Sequence, residues 1–534
     1  MQKRGETVKK MYTGGTILTM DRSLPRVEAV LTENGKILKT GTAEVLRQEA
    51  EQIIDLKGCT LMPGFIDGHS HMIGMGMELV VNCSLDGCRS FSEILERIAA
   101  FRKEKGLTEG QPIMARGYDL ELLQEGEHPT AAVLDRLGVD NPVACIHKSL
   151  HMGVYNTVAM EQAGVLRNDY VCPENGFAQR DAAGDLTGYF EEGAKGVFAP
   201  VFASRTPGED IRQAVLAAQE LYIRNGFTTV QEGSANSIFR LEKLIELSRE
   251  GQLQVDVVAY TGAAADTLEA AQALFRTPHP HLSLGGVKVF LDGSPQARTA
   301  WLRRPYEGET EYRGYPNMTD AQLEKQISNA LSCNMQVLAH CNGDAACQQF
   351  INVWERVGGD PGLRPVMIHA QTVGADQLSR MPKLGMMPSF FVGHTWFWGD
   401  AHLRNLGQRG MHISPVKTAL KQGLPVSFHQ DCPVTKPDML HSIWCAVNRI
   451  TRQGVHLEKS ERVDVYDALM AATVGAAYSY RQEQEKGILR PGALADMIIL
   501  DKDPTAVDPM EIRNIRVLST IKEDIPIYQQ KTAR

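Results

Sequence analysis

The sequence predicts an α/β protein: a (β/α)8 TIM-type barrel with a small β-sandwich domain made from both chain ends and an insertion over the barrel mouth. Three observations lead to this fold class. Apolar strand-like segments alternate with helical segments from about residue 64 to 482, which is typical of parallel βα units. Both chain ends consist of short strand patterns separated by turns. The interval from His71 to Thr228 is too long for one βα unit, and it therefore predicts an insertion.

Each chain end has too little strand to form a stable sheet by itself. The strand patterns near the ends cover residues 11–20, 29–38, 495–501 and 515–521. The pattern at 29–38 is a hairpin, because Asn34-Gly35 is a strong turn signal. We therefore predict that residues 1–62 and 484–534 pair into one composite β-domain.

Residues 63–483 are predicted to form the barrel, with an inserted subdomain at about 75–222. The barrel strand patterns cover residues 227–233, 255–260, 286–292, 335–340, 366–369 and 425–431. Several of these patterns end in a polar residue. Because the chemistry of such barrels lies at the C-terminal ends of the strands, these polar residues are candidates for the functional site.

His69 and His71 are the first candidate metal ligands. They follow the apolar run that ends at Ile66, and alternate residues of a strand point to the same face. We therefore expect both imidazoles to project together near the end of a short buried strand. Imidazole is a common ligand of zinc and related divalent metals.

The spacing of four further residues agrees with strand ends of the same barrel. A βα unit has about 30 residues. His340 and His369 are 29 residues apart, so they fit consecutive strands, and Asp431 follows after 62 residues, or two units. Lys288 precedes His340 by 52 residues, which is one unit plus a long loop. With His69 and His71, these candidates fall on strands 1, 4, 5, 6 and 8.

Composition limits the class of partner. The chain has 534 residues, is 43% hydrophobic and 22% charged, and carries a net charge of -8. It has no long basic run, which disfavours nucleic acid, and no apolar run of about 18 residues, which disfavours a membrane span. The polar start and the ten scattered cysteines predict a cytoplasmic protein with reduced thiols. We expect a small-molecule substrate and a homodimer.

Several motifs together resemble those of the amidohydrolase superfamily. The segments that carry the resemblance are Pro63 to His71, Lys288 to Ser294, His340 to Ala345, Ile368 to Gln371, and Gly487 to Met497. More narrowly, the chain resembles the amidohydrolase family 3 branch, which includes members similar to N-substituted formamide deformylase and to exoenzyme regulatory proteins. The resemblance covers essentially the whole chain.

The resemblance implies a metal-dependent hydrolase that cleaves an amide or related C–N bond with a metal-activated water. The substrate would be a small N-acyl or N-formyl amine. Two divalent metal ions, expected to be zinc, would be the cofactors. His69 and His71 would hold the more buried ion, and His340 and His369 the second. Lys288 would be N-carboxylated, so that its carboxylate bridges both ions.

The remaining site residues also follow from the resemblance or from the sequence around them. Asp431 would bind the first metal ion, accept the proton of the water and deliver it to the leaving amine. The predicted substrate contacts are His151, Tyr118, Arg298, His394 and Trp398. Glu232 ends a strand and is a possible ligand if Lys288 is unmodified. His429 shares a strand face with Asp431.

Two departures from the family pattern leave the substrate open. His429-Gln430-Asp431 stands where the family often has Gly-Ser-Asp, and Ile368 stands where it has Glu. One alternative function is a mononuclear deaminase of a ring amidine, with no role for Lys288. The other is a catalytically silent regulatory protein on the same scaffold.

Overall fold

The computed structural model describes residues 8–167, 170–173, 175–203, 207–235 and 237–530. Both tips of the predicted composite domain and parts of the predicted insertion (168–169, 174 and 204–206) lie outside the described residues. The described strands are β1 Lys10–Leu18, β2 Arg26–Glu33, β3 Lys36–Gly41, β4 Gln52–Asp55, β5 Thr60–Pro63, β6 Phe65–Ile66, β7 Cys83–Ser84, β8 Ile113–Tyr118, β9 Val143–His147, β10 Met152–Tyr155, β11 Gly176–Arg180, β12 Leu186–Glu192, β13 Phe227–Glu232, β14 Asp256–Thr261, β15 Leu282–Phe290, β16 Gln336–Cys341, β17 Val366–His369, β18 Met387–Phe390, β19 Ser427–Phe428, β20 Met497–Leu500, β21 Val517–Lys522 and β22 Ile525–Gln529.

The described helices connect and cover these strands. The α-helices are α1 Ala43–Arg47, α2 Met72–Val80, α3 Phe91–Glu104, α4 Ala131–Asp135, α5 Thr157–Ala163, α6 Pro207–Arg224, α7 Ile238–Arg249, α8 Ala265–Leu274, α9 Asp320–Ser332, α10 Asp344–Arg356, α11 Ala375–Leu378, α12 His394–Phe397, α13 Gly399–Leu406, α14 Val416–Lys421, α15 Met439–Asn448, α16 Val465–Ala471 and α17 Val474–Ser479. Short 3-10 helices span Leu120–Leu122, Gly193–Phe198, Pro361–Leu363, Met381–Leu384, Gly407–His412, Lys459–Glu461 and Pro509–Asn514. No helix in the described part of the chain has the length and apolar character needed to cross a membrane.

Strands from both chain ends form one sheet, in the order β22-β21-β20-β5-β1-β2-β3, and β4 pairs with β1. The two ends meet where β5 and β20 run antiparallel, with Met62 opposite Ile498. Leu61 and Met497 are buried in the core of this sheet. The short strands of each end therefore gain hydrogen-bond partners from the other end.

The central sheet is parallel and curled, in the order β6-β13-β14-β15-β16-β17-β18-β19. Its two edges approach each other. Gly68, which follows the first strand, donates a hydrogen bond from its backbone N to the O of Phe428 in the last strand at 3.1 Å. A Cβ atom at Gly68 would lie 2.7 Å from Phe428 O, so this close approach requires glycine. One face of the sheet packs against the surrounding helices, and the other face encloses a smaller core with Ile66, Tyr260 and Ile368.

The insertion contains a separate sheet, in the order β11-β12-β10-β9-β8-β7. Its own core includes Ile94 of α3, Ile113 and Val154. Helix α6 differs from the prediction, which placed residues up to 222 in the insertion. Val215 and Tyr222 of α6 are buried in the core of the central sheet, because α6 leads directly into β13.

Candidate metal centre

The candidate ligands converge at the C-terminal ends of the central strands. Lys288 lies on β15, His340 on β16 and His369 on β17, which are the fourth, fifth and sixth strands of the sheet order. Asp431 follows β19, the eighth strand. This is the strand order that the sequence spacing predicts.

The local structure of the first pair differs from the prediction. β6 ends at Ile66, so His69 lies in the following turn and His71 directly precedes α2. The turn is held by backbone hydrogen bonds from Asp431 N to His69 O (3.1 Å) and from His71 N to Cys432 O (2.8 Å). The two rings still lie together, with centroids 5.1 Å apart. They meet through this turn and not through strand alternation.

Asp431 is the centre of the group. Its Oδ1 lies 3.5 Å from Nε2 of His69 and 3.5 Å from Nε2 of His71. Its Oδ2 lies 3.9 Å from Nε2 of His369, and the His369 and His340 ring centroids are 4.5 Å apart. His69, His369 and Asp431 can each offer a ligand atom within 4.8 Å of the others.

Buried partners hold the outer nitrogen of three of the rings. Gln231 Oε1 contacts Nδ1 of His69, and Asp292 Oδ1 lies 3.2 Å from Nδ1 of His340. Neighbours that bind the outer nitrogen leave the inner one for a metal, which is the usual arrangement around histidine ligands.

His369 has a partner of the same kind. His429 Nε2 lies 3.1 Å from Nδ1 of His369, and Ser389 Oγ lies 2.8 Å from the other nitrogen of His429. His429 therefore contacts a candidate ligand and is not one itself. This contact fits the strand face that the sequence predicts it to share with Asp431.

The protonation states also suit a cation. Burial lowers the pKa of His69, His340 and His369 well below the usual value, so their imidazoles are neutral and keep a lone pair. Neutral imidazole and carboxylate are the donor types that bind zinc and similar ions. The residues present thus fit a divalent metal.

Lys288 is buried, with 3% of its surface exposed. Its Nζ lies 2.8 Å from Nε2 of His69. Burial lowers the pKa of Lys288 to about 7, against the opposing effect of Asp431. None of the ion pairs in the described ranges includes Lys288.

The four candidate histidine ligands and Asp431 line a cavity of about 260 Å³, and the insertion supplies its other wall. His151 lines this wall just before β10, and its ring centroid is 5.5 Å from that of His340. Its Nδ1 lies 2.9 Å and 3.1 Å from the two carboxylate oxygens of Glu192. Burial opposes protonation of His151, but Glu192 outweighs it and raises the pKa of the imidazole.

Four of the predicted substrate contacts, Tyr118, Arg298, His394 and Trp398, do not line this cavity. Tyr118 Oη bonds to Nδ1 of His128 at 2.9 Å, and Arg298 pairs with Glu309 at 2.7 Å. His394 and Trp398 are buried near the cavity in a cluster around Phe391. Nδ1 of His394 lies 3.0 Å from His402 Nε2. Tyr118, Arg298 and His394 thus have polar partners, while Trp398 is held by ring contacts and its buried Nε1 has no hydrogen-bond partner among the described residues.

Glu232 is not positioned as a ligand. Its carboxylate accepts hydrogen bonds from Ile73 N (2.7 Å) and Ser234 N (3.4 Å). It therefore holds the start of α2, next to His71.

Sequence reasoning missed Gln231, Asp292 and Glu192 as partners of the site histidines. Asp292 could have been found from the sequence, because it lies in the motif from Lys288 to Ser294. In the structure it accepts backbone hydrogen bonds from Asn342 and Gly343. Burial raises its pKa to about 7 against those bonds. Glu192 had no sequence signal, because it reaches His151 from a different hairpin of the insertion.

Known proteins of one family are similar to this chain over nearly its whole length. A model of the amidohydrolase family matches residues 52–528. The Bacillus subtilis protein YtcJ is 28% identical over 98% of this chain and 100% of its own length. The N-substituted formamide deformylase of Arthrobacter pascens is 26% identical over 97% and 98%. The crystal structure of an uncharacterized metal-dependent hydrolase from Pyrococcus horikoshii has a TM-score of 0.76 at 28% identity and covers 94% of this chain and 99% of its own.

Proposed function

Starting from the finding that this chain belongs to the amidohydrolase family, we propose that it hydrolyses an amide or related C–N bond of a small N-acyl or N-formyl amine. One observation carries the proposal. The Asp431 carboxylate lies within 3.5–3.9 Å of the Nε2 atoms of three histidines at the ends of parallel strands. The similarity to a formamide deformylase supports the bond type. The similarity to metal-dependent hydrolases disfavours the silent regulatory alternative.

We propose a binuclear centre. His69, His71 and Asp431 would hold one divalent ion, expected to be zinc, and His340 and His369 a second. Bound ions would lower the pKa of a water ligand and polarise the scissile carbonyl. The neutral imidazoles and their buried outer partners support this assignment.

Lys288 is proposed to be N-carboxylated. An ammonium that is buried against an imidazole, without a carboxylate pair, is unfavourable. The neutral amine can attack carbon dioxide, form an N–C bond and release one proton. The resulting carboxylate would be an oxygen ligand between the two groups of histidines.

The protein's own groups would move the protons. Asp431 would accept a proton from the attacking water and give it to the leaving amine nitrogen. His151 would donate a hydrogen bond from Nε2 to the substrate carbonyl oxygen, because Glu192 holds Nδ1. His151 is the one predicted substrate contact that lines the cavity.

We also propose that the curled sheet closes into the (β/α)8 barrel. The hydrogen bond from Gly68 N to Phe428 O, between the first and last strands, supports closure. A closed barrel would hold His69 and Asp431 rigidly on neighbouring strand ends.

Metal analysis and a substrate screen test this function. We expect about two metal ions per chain and turnover of N-formyl or N-acyl amines by the purified protein. About one ion, with deamination of a ring amidine, would favour the deaminase alternative. Bound metal without turnover of any amide or amidine would contradict the proposal.

The variant Lys288→Ala tests the bridging group. We expect loss of most activity and of the second metal ion, with partial rescue by short carboxylic acids that replace the missing carboxylate. Lys502→Ala, at an exposed lysine that follows β20 in the sheet of the two chain ends, is the control. Full activity of Lys288→Ala would exclude the carboxylated lysine.

A further inference from the structure

The cavity at the candidate metal centre is small, and a larger one adjoins it. At about 260 Å³ the first is below the size range of about 300–1,000 Å³ that is usual for ligand pockets. The second has about 640 Å³ and lies between α2, α6 and the insertion. Leu150 lines both cavities. The space for most of a substrate is therefore on the far side of Leu150.

The larger cavity has an apolar wall and an excess of cations. Met77, Phe101, Leu107 and Met114 are among its apolar lining residues. The lining cations are Lys105, Arg116, Lys195 and Arg240, and the lining carboxylate is Asp210. Glu78, which pairs with Arg116, is not a lining residue, so four lining cations stand against one lining carboxylate. This wall chemistry suits an apolar chain with a negative end.

Arg116 and Lys195 are the cations held in place by the surrounding structure. The Arg116 side chain is 18% exposed, and its Nε lies 3.5 Å from Glu78 Oε1, the one ion pair that the described residues give it. Lys195 Nζ donates to the Leu150 carbonyl oxygen. The hydrogen bonds of the described residues include none from the Arg116 Nη nitrogens, which can therefore bind a carboxylate.

Leu150 separates the two cavities with an unusual backbone. Its φ is 66°, in the left-handed region, where a leucine is disfavoured and glycine is the usual residue. Its side chain packs towards both Val434 beside the metal centre and the insertion core around Ile146. A branched side chain at a position that favours glycine points to a requirement for its bulk.

We propose that the larger cavity is the subsite for the non-reacting arm of the substrate, an apolar chain of several carbons that ends in a carboxylate. Arg116 binds the carboxylate, and Leu150 controls the passage between this arm and the reacting amide. This inference rests on the proposed hydrolase function. It adds the substrate class: an amide whose non-reacting arm is acidic.

Binding can be tested without turnover. Titration calorimetry of the metal-loaded protein with octanoate should show binding, while octylamine should not bind. We expect Arg116→Gln to weaken octanoate binding about tenfold or more, the value of a charge-assisted hydrogen bond. Arg116→Lys should restore part of the affinity, and Arg136→Gln, an exposed arginine of the same insertion, should not change it. Octanoate binding that is equal in Arg116→Gln would place the carboxylate elsewhere and overturn the subsite.

A matched pair of substrates tests the arm during turnover. Wild type should prefer 6-formamidohexanoate to N-formylhexylamine in kcat/KM, and Arg116→Gln should remove that preference. Leu150→Ala should raise kcat/KM for acids with a branched chain, because the passage widens. Leu107→Ala enlarges the same cavity away from the passage and should not have this effect.

The outcomes separate this inference from the proposed function. Turnover of both formamides without preference for the acid overturns the subsite and leaves the hydrolase function intact. Octanoate binding that depends on Arg116, without turnover of any amide, supports the anion subsite and contradicts the hydrolase function.

Discussion

Two buried groups of ionisable side chains lie at opposite ends of the central strands. At the start of β14, Asp256 Oδ2 lies 2.6 Å from Lys486 Nζ and 2.8 Å from Lys522 Nζ, and Lys522 also bonds to Asp496 at 2.8 Å. The carboxylates of Asp256 and Asp496 balance the ammonium groups of Lys486 and Lys522. At the far end, Asp431 lies beside His69 and His369, whose pKa burial lowers so that their imidazoles are neutral.

Both groups contain three potential metal-binding side chains within 4.8 Å of one another. At the start of the strands these are Asp256, His281 and Glu523, and the lysines already compensate Asp256. At the far end no lysine or arginine within the described ranges forms an ion pair with Asp431. Charge balance therefore distinguishes a structural cluster from a ligand-binding one more clearly than the types of residue do.

Asp256→Asn should have the largest effect, because it leaves the buried Lys486 ammonium without its carboxylate partner and Lys522 with Asp496 as its remaining buried partner. Breaking a buried pair in this way costs about 3–5 kcal/mol of unfolding free energy. Denaturant unfolding should show this loss, while metal content per folded chain stays unchanged. A stable variant that loses metal would reverse the distinction between the two clusters.

Asp431→Asn should act on turnover and not on stability. Asparagine keeps the size and one oxygen but cannot accept a proton at neutral pH, so kcat should fall by about 100-fold or more. Metal content should fall little. Asp464→Asn, with an exposed side chain, is the control. Near-normal turnover of Asp431→Asn would assign the proton transfer to another group.

Asp292→Asn tests the outer partners of the ligands. The carboxylate holds Nδ1 of His340 at 3.2 Å, and loss of its charge should weaken binding of the second metal ion by about tenfold. Competition with a chelator measures this affinity. Unchanged affinity would mean that Asp292 acts only through its backbone hydrogen bonds.

His281→Gln should have the smallest effect, and it should depend on pH. The hydrogen bond to Asp256 raises the pKa of His281 above its unfolded value of about 6.5. The stabilisation is therefore fully present below about pH 6.5 and is lost as pH rises through the folded pKa. Wild type should exceed the variant by less than about 1 kcal/mol at pH 5.5, and the difference should shrink by pH 9. A difference that grows with pH would contradict this.

The candidate ligands at the C-terminal ends of the central strands could be predicted because they are regularly spaced in the sequence. Strand ends of repeated βα units recur at near-constant intervals, so Lys288, His340 and His369 could be assigned to strands from the sequence. The turn at His69 could not, because its backbone partners are Asp431 and Cys432, far along the chain. Strand alternation would also bring His69 and His71 together, so the sequence could not distinguish it from the turn that the structure shows.

The contact between Glu192 and His151 in the insertion wall could not be predicted, for a different reason. Glu192 and His151 meet through the pairing of β10 and β12, whose register no local pattern specifies. Tyr118 and Arg298 are an aromatic and a charged residue near sequence motifs. By that criterion they could not be distinguished from residues that line the cavity. Only the tertiary contacts show that their polar atoms are already bonded.

Hydrogen bonds join the segments that follow the first and last central strands, and these bonds affect the order of folding. Cys432 N bonds to Ser70 Oγ across a separation of 362 residues, and Asp431 N bonds to His69 O beside it. On the ribosome, the segment with the first two histidines emerges long before its partner. The proposed ligand set cannot be complete until synthesis has passed residue 431, so binding of metal by the proposed centre would be a late event in the biogenesis of this protein.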